Sequence, residues 1–255
     1  MTVRSGAALL SVLVAAGAAA CASLYEVGIE TPIQAKLDVA AFQRVLVPAF
    51  LAGGSADVDT NTETVRLLRS QLRTKSELKV IDADVFSLVD VAQKSSGAPA
   101  AALPAGISPE LRFKSPKDFE PLEPIFADVN YWKKMGEEYQ SPLIVTGELL
   151  FTPIERSGYV EQPVDTVDQY GRHSSETVRQ WVDRKGFSLT QKIIFIDGRT
   201  GIQLHTESYT DETLYGSQLN TPALSAYFEL MDRRIPDFLN TLSSQRIRGI
   251  RYLLK

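Results

Sequence analysis

The first half of the chain alternates short apolar runs with an amphipathic stretch. Residues 44–50 (RVLVPAF) are apolar and β-branched, which predicts a buried strand with Pro48 at its edge or end. A helical pattern follows at about 61–74, and a second apolar run covers 78–82. This order predicts a β-α-β unit, which normally places its two strands parallel.

The start of this helix has a sequence signature of its own. Thr60 and Glu63 have the spacing of a capping box, in which each side chain binds the backbone N–H of the other residue. Three apolar residues share one helical face, and three arginines share the other: Val65, Leu68 and Leu72 against Arg66, Arg69 and Arg73. We therefore expect the apolar face to pack against the sheet.

The middle of the chain contains two stretches that do not fit a regular element. Residues 94–124 are rich in Ser, Gly and Ala and contain six prolines, which predicts an extended excursion from the domain. A helical pattern at 129–139 and an apolar strand at 142–151 follow. Residues 155–185 are polar and are interpreted as a second insert.

The last third predicts a hairpin and a helix. Apolar runs at 187–196 and 202–209 flank Asp197–Gly201 (DGRTG), whose glycines favour a tight turn. An apolar stripe at helical spacing begins near Thr221, and Pro236 should kink or split this helix.

These elements together predict an α/β fold. We expect a mixed sheet with a β-α-β unit, a later β-hairpin and packed helices, interrupted by the inserts at about 94–124 and 155–185. Residues 44–255 would form one domain, and residues 246–255, which alternate basic and apolar positions, a closing strand or a packed arm. Residues 21–43 show no strong periodicity and are interpreted as a tether and entry segment.

The first twenty residues have the three-part order of an export signal. Arg4 precedes an apolar run at 7–20 (AALLSVLVAAGAAA), and small residues end it. A helix of this length reaches about 21 Å, short of the roughly 30 Å hydrocarbon core of a membrane. We interpret residues 1–20 as a cleaved signal peptide.

The single cysteine directly follows this run. Ala18–Ala20 followed by Cys21 resembles the lipobox of bacterial lipoproteins, which implies that the Cys21 thiol receives lipid. In that family, the absence of Asp at the next position, here Ala22, implies transfer to the periplasmic face of the outer membrane. Cleavage by ordinary signal peptidase at an Ala-x-Ala site is the alternative.

Composition and charge narrow the classes of partner. The chain has 27 basic and 31 acidic residues, a net charge of −4, which disfavours nucleic acid as a partner. With Cys21 as its one cysteine, the folded part can form no internal disulfide. Stability must therefore come from buried apolar surface.

Motifs for cofactors, metals or catalysis are weak. Gly53 and Gly54 lack the rest of a phosphate-binding loop, and the acidic turn before the first helix lacks the glycine and glutamate of a calcium loop. His173 and His205 have no cysteine to share a zinc ion with. We expect no cofactor, no metal site and no enzymatic activity. Trp132 on its apolar stripe is interpreted as a core residue rather than a partner contact.

The element order also resembles a known group of envelope proteins. Residues 144–148 (IVTGE) and 195–201 (FIDGRTG) resemble a strand and a hairpin of the curli secretion-channel lipoproteins, the penicillin-binding-protein activator lipoproteins and the amino-terminal domain of the Tol-Pal translocation protein. The resemblance implies a scaffold for protein contacts, with the glycine at 147 allowing a neighbouring backbone to approach.

Three functions remain open on the sequence. The first is a membrane-anchored accessory or assembly factor that contacts envelope proteins, with homo-oligomers allowed. The second is a component of an oligomeric secretion channel, although residues 159–181 alternate poorly for strands that cross a membrane. The third is an envelope enzyme that uses carboxylates such as Asp82, Asp84, Glu148 and Asp197.

Overall fold

The computed structural model describes residues 24–96, 113–167, 170–216, 221–243 and 245–254. The chain divides into two compact units, one of Met1–Ala35 with Ser244–Lys255 and the other Lys36–Ser243. This division differs from the single domain predicted for 44–255, because the last strand pairs with a strand near the start of the chain. The predicted signal peptide and Cys21 lie outside the described residues.

The described part of the first unit is an antiparallel pair of strands. Strand β1 is Leu24–Ile33 and strand β8 is Gln245–Leu254, and their register runs from Leu24 opposite Leu254 to Ile33 opposite Gln245. The closing strand predicted at 246–255 is therefore present, but its partner lies in the segment interpreted as a tether.

The second unit is a mixed six-stranded sheet covered on both faces by helices, which confirms the α/β class. The strands are β2 (Arg44–Leu46), β3 (Leu51–Gly54), β4 (Lys79–Ile81), β5 (Leu143–Val167), β6 (His173–Asp197) and β7 (Gln203–Gly216). The helices are α1 (Thr60–Lys75), α2 (Leu88–Ser96), α3 (Val129–Glu138) and α4 (Ala223–Leu242).

Strand order explains why the two halves of the sequence belong to one sheet. The order is β4-β2-β5-β6-β7, with β3 also paired to β5. Strands β2 and β3 run parallel to β5, and β4 runs parallel to β2, as the β-α-β pattern predicts. Strands β5, β6 and β7 form an antiparallel meander.

Alternate residues of the central strands enter two separate cores. Val45, Val145 and Phe195 pack with the apolar faces of α1 and α4. Leu46 and Ile144 instead pack with α2, α3 and Trp132 on the other face. Because both faces are covered, these strands appear in the sequence as continuous apolar runs rather than as alternating ones. Trp132 is fully buried, which confirms its interpretation as core.

The strand predicted at 44–50 is interrupted at Pro48 and resumes as β3. The Thr146 hydroxyl donates to the Ala49 carbonyl, and the Asn61 side chain accepts from the Phe50 N–H. These bonds replace ladder bonds that the proline segment cannot make. Strand β3 then extends to Gly54.

The structure changes two local expectations about helices. Helix α1 is capped by Asp59, whose carboxylate accepts from the Thr62 N–H, and not by a Thr60–Glu63 capping box. Helix α4 runs unbroken through Pro236, so this proline does not split it.

The two predicted inserts differ from expectation wherever the structure describes them. In the first, residues 97–112 lie outside the described residues, but two short 3-10 helices, Pro116–Phe119 and Glu123–Ala127, bury Phe119 and Phe126 in the core. In the second, residues 155–167 and 173–185 are regular strand, since β5 and β6 continue through them as an antiparallel pair. Its polar sequence therefore belongs to exposed strands.

Candidate functional site

The outer part of the β5–β6 hairpin extends beyond the strands that flank it. On the β5 side, β3 pairs only as far as Phe151. On the β6 side, β7 pairs only as far as Arg184. Beyond Arg184 the ladder between β5 and β6 continues for eleven more pairs, and the outer ten run from Gly158 opposite Val182 to Val167 opposite His173. We call residues 158–167 and 173–182 the ribbon, and within the described residues both of its outer edges have no strand partner.

The base of the ribbon is fixed to the sheet. Gly186 lies so close to β7 that an added Cβ would stand 1.8 Å from the Thr213 carbonyl oxygen. Phe187 stacks on Phe151 with ring centres 4.9 Å apart, and Arg156 forms an ion pair of 2.6 Å with Glu212. The ribbon therefore starts from a packed support.

One face of the ribbon carries an exposed aromatic pair. Residues directly opposite in an antiparallel ladder share a face, and Tyr159 and Trp181 are opposite each other with ring centres 4.9 Å apart, edge to face. They remain 65% and 53% exposed. Arg179 lies over the Tyr159 ring at 5.2 Å and 3.9 Å from Glu161, and the Trp181 indole donates to Asp183.

The other face carries more apolar residues. Val160 and Val164 of β5 share this face with Val178 and Val182 of β6, separated by Gln162 and Gln180. Val164 and Val178 are exposed, and Glu176 occupies the register position opposite Val164. The two faces of the ribbon therefore differ in chemistry, one aromatic and charged and the other mostly valine and glutamine.

The ribbon was missed in the sequence because neither of its faces is buried. A buried face produces the alternation by which strands are recognised. The signals that remained are the two aromatic residues at matching distances from a turn and Gly171, whose φ of 76° favours glycine.

The carboxylates proposed as catalytic candidates are separated. Asp82 pairs with Arg73 on the surface, and Asp197 accepts from Arg199 in the β6–β7 turn. Hydrogen bonds from Arg199 and Thr200 lower the pKa of Asp197 although burial opposes this shift. Asp84 lines neither the cavity beside Glu148 nor the cavity beside α2 and α3.

Glu148 lies in a different environment, beside a cavity of about 400 Å³. Lys192 donates to Glu123 at 2.8 Å and to Glu148 at 3.1 Å. Burial raises the pKa of Glu148, although the lysine acts in the opposite direction. The lysine thus joins Glu148 to a second carboxylate that the sequence did not single out.

The two histidines lie in unrelated positions. His173 starts β6 at the tip of the ribbon, and His205 in β7 is 3.1 Å from Glu207. Burial raises the pKa of Glu207, but hydrogen bonds from Lys36, Tyr209, His205 and Thr241 outweigh it and lower the pKa to about 2. Within the described ranges, no group of three or more His, Cys, Asp or Glu side chains is arranged to hold a metal ion.

A second cavity of about 440 Å³ lies beside α2 and α3. Tyr131 and Tyr139 line it together with Phe86, and burial raises the pKa of Tyr131 to about 12, with Asp128 contributing. Its mixed apolar and charged lining does not converge on one kind of ligand.

Comparisons with known proteins leave the family of this chain open. No protein-family model matches it, and no curated protein matches it. Among solved structures, lipoprotein GNA1162 of Neisseria meningitidis is 15% identical over 77% of this chain and 98% of that chain, with a TM-score of 0.35. A neuraminyllactose-binding hemagglutinin homologue of Helicobacter pylori is 10% identical over 80% and 86%, also with a TM-score of 0.35. Likenesses this distant carry no argument about family or function.

Within the described part of the chain, no helix is both long and apolar enough to cross a membrane.

Proposed function

We propose that this protein is a cell-envelope lipoprotein, held at the periplasmic face of the outer membrane by lipid on Cys21, and that it works as an accessory or assembly factor. The ribbon is its contact surface for another envelope protein. The single observation that carries this proposal is the ribbon itself, whose ten residue pairs all lie beyond every flanking strand in the described residues.

The length of the ribbon suits a contact made at a distance from the sheet. Each residue of an antiparallel strand advances about 3.4 Å, so ten pairs reach about 34 Å. An isolated two-stranded hairpin is only marginally stable in water. Here the packed base at Gly186 and Phe187 and the Tyr159–Trp181 pair support it.

The side chains of the ribbon have the character of a protein contact. Tyr, Trp and Arg dominate the binding energy of protein interfaces, and Tyr159, Trp181 and Arg179 form one exposed cluster. Open strand edges also offer backbone N–H and C=O groups to an added strand. The ribbon therefore presents both an anchor cluster and backbone hydrogen bonds.

The contact is tested by crosslinking and affinity capture from intact cells. We expect Trp181→Ala to reduce capture of envelope proteins at least tenfold, since truncating a central interface aromatic typically removes about 2 kcal/mol or more. Ile202→Ala is the matched control, because Ile202 is 55% exposed but lies in the turn between β6 and β7. Equal capture by both variants and the unaltered protein would exclude the ribbon as the contact.

The anchor is tested separately by replacing Cys21 with Ser in cells grown with labelled palmitate. We expect loss of the label and release from the membrane fraction, because multiple acyl chains at about 0.8 kcal/mol per methylene account for the attachment. Retained label and unchanged fractionation would reject lipidation at Cys21.

An oligomeric secretion channel is a second candidate, favoured by one observation. The residues of the ribbon alternate poorly in the sequence, yet they form two continuous strands. Their ten pairs match the roughly nine to eleven residues that a strand needs to cross a membrane. The valine-bearing face would then meet lipid, where its Gln162, Gln180 and Glu176 are unfavourable. Glu161, Asp165 and Arg179 on the other face would line water. Ring-shaped assemblies with single-channel conductance support this function, and a monomer without conductance rejects it.

A further inference from the structure

The β1–β8 pair begins very close to the proposed lipid site. Only Ala22 and Ser23 separate Cys21 from Leu24, the first residue of β1. Three residues of extended chain span at most about 11 Å. The polar headgroup region of one leaflet is about 5 to 8 Å thick. If Cys21 carries lipid, the Leu24 end of the pair therefore lies at the membrane surface.

The residues at that end have the composition of a membrane interface. The four pairs nearest Cys21 are Leu24 with Leu254, Tyr25 with Leu253, Glu26 with Tyr252, and Val27 with Arg251. They contain three leucines, two tyrosines, a valine and one arginine, with a single acidic residue. Tyrosine is enriched where membranes meet water, and arginine can keep its charge among lipid headgroups while its stem lies in apolar surroundings.

Most of the described side chains at and beside this end are exposed, and Val27 is partly exposed. Tyr252 is 59% exposed and Ile250 is 62% exposed. Ile250 lies opposite Gly28, which has no side chain to cover it, and an added Cβ at Gly28 would meet no atom within 4 Å. Tyr252 and Ile250 are two residues apart in one strand and therefore share a face, so their exposed apolar groups are neighbours on one surface.

The charge of β8 indicates which surface it fits. Strand β8 carries Arg246, Arg248 and Arg251 and no acidic residue, whereas the whole chain has a net charge of −4. In the register, Arg248 lies opposite Glu30, but Arg251 lies opposite Val27 and is exposed. An arginine without an acidic residue opposite it is suited to phosphate groups of anionic lipids.

We infer that the Leu24–Val27 and Arg251–Leu254 end of the β1–β8 pair binds, end-on, the surface of the membrane that carries the lipid anchor, with a preference for anionic phospholipid. Tyr252 and Ile250 on one face of the pair and Arg251 on the other face would contact the headgroups. This inference rests on the proposed lipidation of Cys21, which brings that end to the bilayer. The contact would hold the pair in the interfacial region as a second attachment beside the acyl chains.

The test measures vesicle binding by the mature chain with Cys21→Ser, so that acyl chains contribute nothing. We expect flotation with vesicles of phosphatidylethanolamine and phosphatidylglycerol, weaker binding to vesicles of phosphatidylcholine alone, and weakening by salt. No binding to the anionic vesicles, or equal binding to both kinds, would overturn the inference. Palmitate label retained by the Cys21→Ser variant in cells would overturn the anchor instead, so the two failures are distinguishable.

Variants locate the contact. We expect Arg251→Gln to weaken binding about fivefold, the effect of one basic residue at an anionic surface, and Arg251→Lys to restore it. Adding Tyr252→Ser should weaken binding further. The matched control combines Arg66→Gln with Ile202→Ser, an exposed arginine and an exposed isoleucine of the other unit. Equal loss in the control would overturn the assignment to β8.

A crosslink in intact cells tests the same end without any change of fold. A photoreactive residue at position 250 of the full, lipidated chain should yield phospholipid adducts. Adducts with protein alone would show that another macromolecule covers this end and would overturn the inference.

Discussion

At the residue scale, two glycines show how closely the elements of the larger unit approach each other. A Cβ added at Gly136 in α3 would lie 1.7 Å from the carbonyl oxygen of Gly198 in the β6–β7 turn. A Cβ at Gly147 in β5 would lie 1.8 Å from the Lys192 carbonyl oxygen, and the φ of Gly147 is 148°. The prediction that residue 147 permits a close backbone approach is confirmed, whereas the role of Gly136 was not foreseen.

We predict that Gly136→Ala destabilises the protein by about 2 kcal/mol, since overpacking outweighs the gain of about 1 kcal/mol in helix propensity. The free energy of unfolding in urea measures this effect. Gly158→Ala is the control, because no atom lies within 4 Å of the Cβ that it adds. If the two substitutions have the same effect, the contact with Gly198 is not tight.

The Glu207 carboxylate predicts a dependence of stability on acid. Its pKa is lowered from the ordinary value of 4.5 to about 2 by hydrogen bonds from Lys36, Tyr209, His205 and Thr241, although burial acts against them. A lowered pKa stabilises the folded protein above the unfolded value and loses that contribution as pH falls towards the folded value. We therefore expect stability to fall between about pH 5 and pH 2.

Glu207→Gln should lower the free energy of unfolding at pH 7 and flatten its decline over this range. Urea unfolding at several pH values tests both effects. An unchanged slope in the variant would show that other carboxylates cause the acid sensitivity, and Asp197 and Glu229 are candidates because their pKa values are also lowered.

At the scale of elements, helix α1 shows which features of a helix the sequence predicts and which it does not. Its position was predicted within one residue at each end, because its apolar face is buried and periodic. Its cap was assigned to the wrong residue, since Asp59, Thr60 and Glu63 all suit a helix start and only geometry decides between them.

We expect Asp59→Ala to lower the free energy of unfolding by about 1 kcal/mol, because the Thr62 N–H loses its acceptor. Glu63→Ala should have a smaller effect, since it removes only a surface ion pair with Arg66. Asp57→Ala, two residues before the cap, serves as the control. A larger loss of stability in Glu63→Ala than in Asp59→Ala would support the Thr60–Glu63 capping box instead.

The elements that the sequence missed share a physical reason. Strand recognition relies on one buried face, and the ribbon has none, so its valines and aromatics did not form a clear pattern. The prolines of the segment with the 3-10 helices predicted an extended excursion, yet this segment buries Phe113, Phe119 and Phe126 in the core. Strand β1 depends on β8, which is more than two hundred residues away and outside any local pattern.

At the scale of the whole molecule, the class of fold could be predicted but the candidate contact surface could not. Buried strands and helices dominate the larger unit, and their apolar content is visible in the sequence. The ribbon contributes no residue to the three hydrophobic cores. The proposed contact surface and the stable core are therefore largely separate parts of this chain.

This separation predicts that the ribbon can be removed. Residues 158–182 would be replaced by an Asn-Gly turn joining Ser157 to Asp183, which are already opposite each other in the ladder. We expect the free energy of unfolding to change by less than about 1 kcal/mol, because no core residue is lost, while capture of envelope proteins disappears. A shortened protein that unfolds or that still captures its partners would contradict this prediction.

The strand order of the sheet also implies an order of assembly. The β5–β6–β7 meander joins neighbours in the chain, whereas Val45 of β2 must find Leu143 of β5 across nearly a hundred residues. Closing the longer loop has the larger entropic cost, so distant parallel pairing is the slower event. During refolding, pulse-labelled amides of β6 and β7 should acquire protection before those of β2 and β3, and the amino-terminal strands should complete a sheet that the later part of the chain has begun.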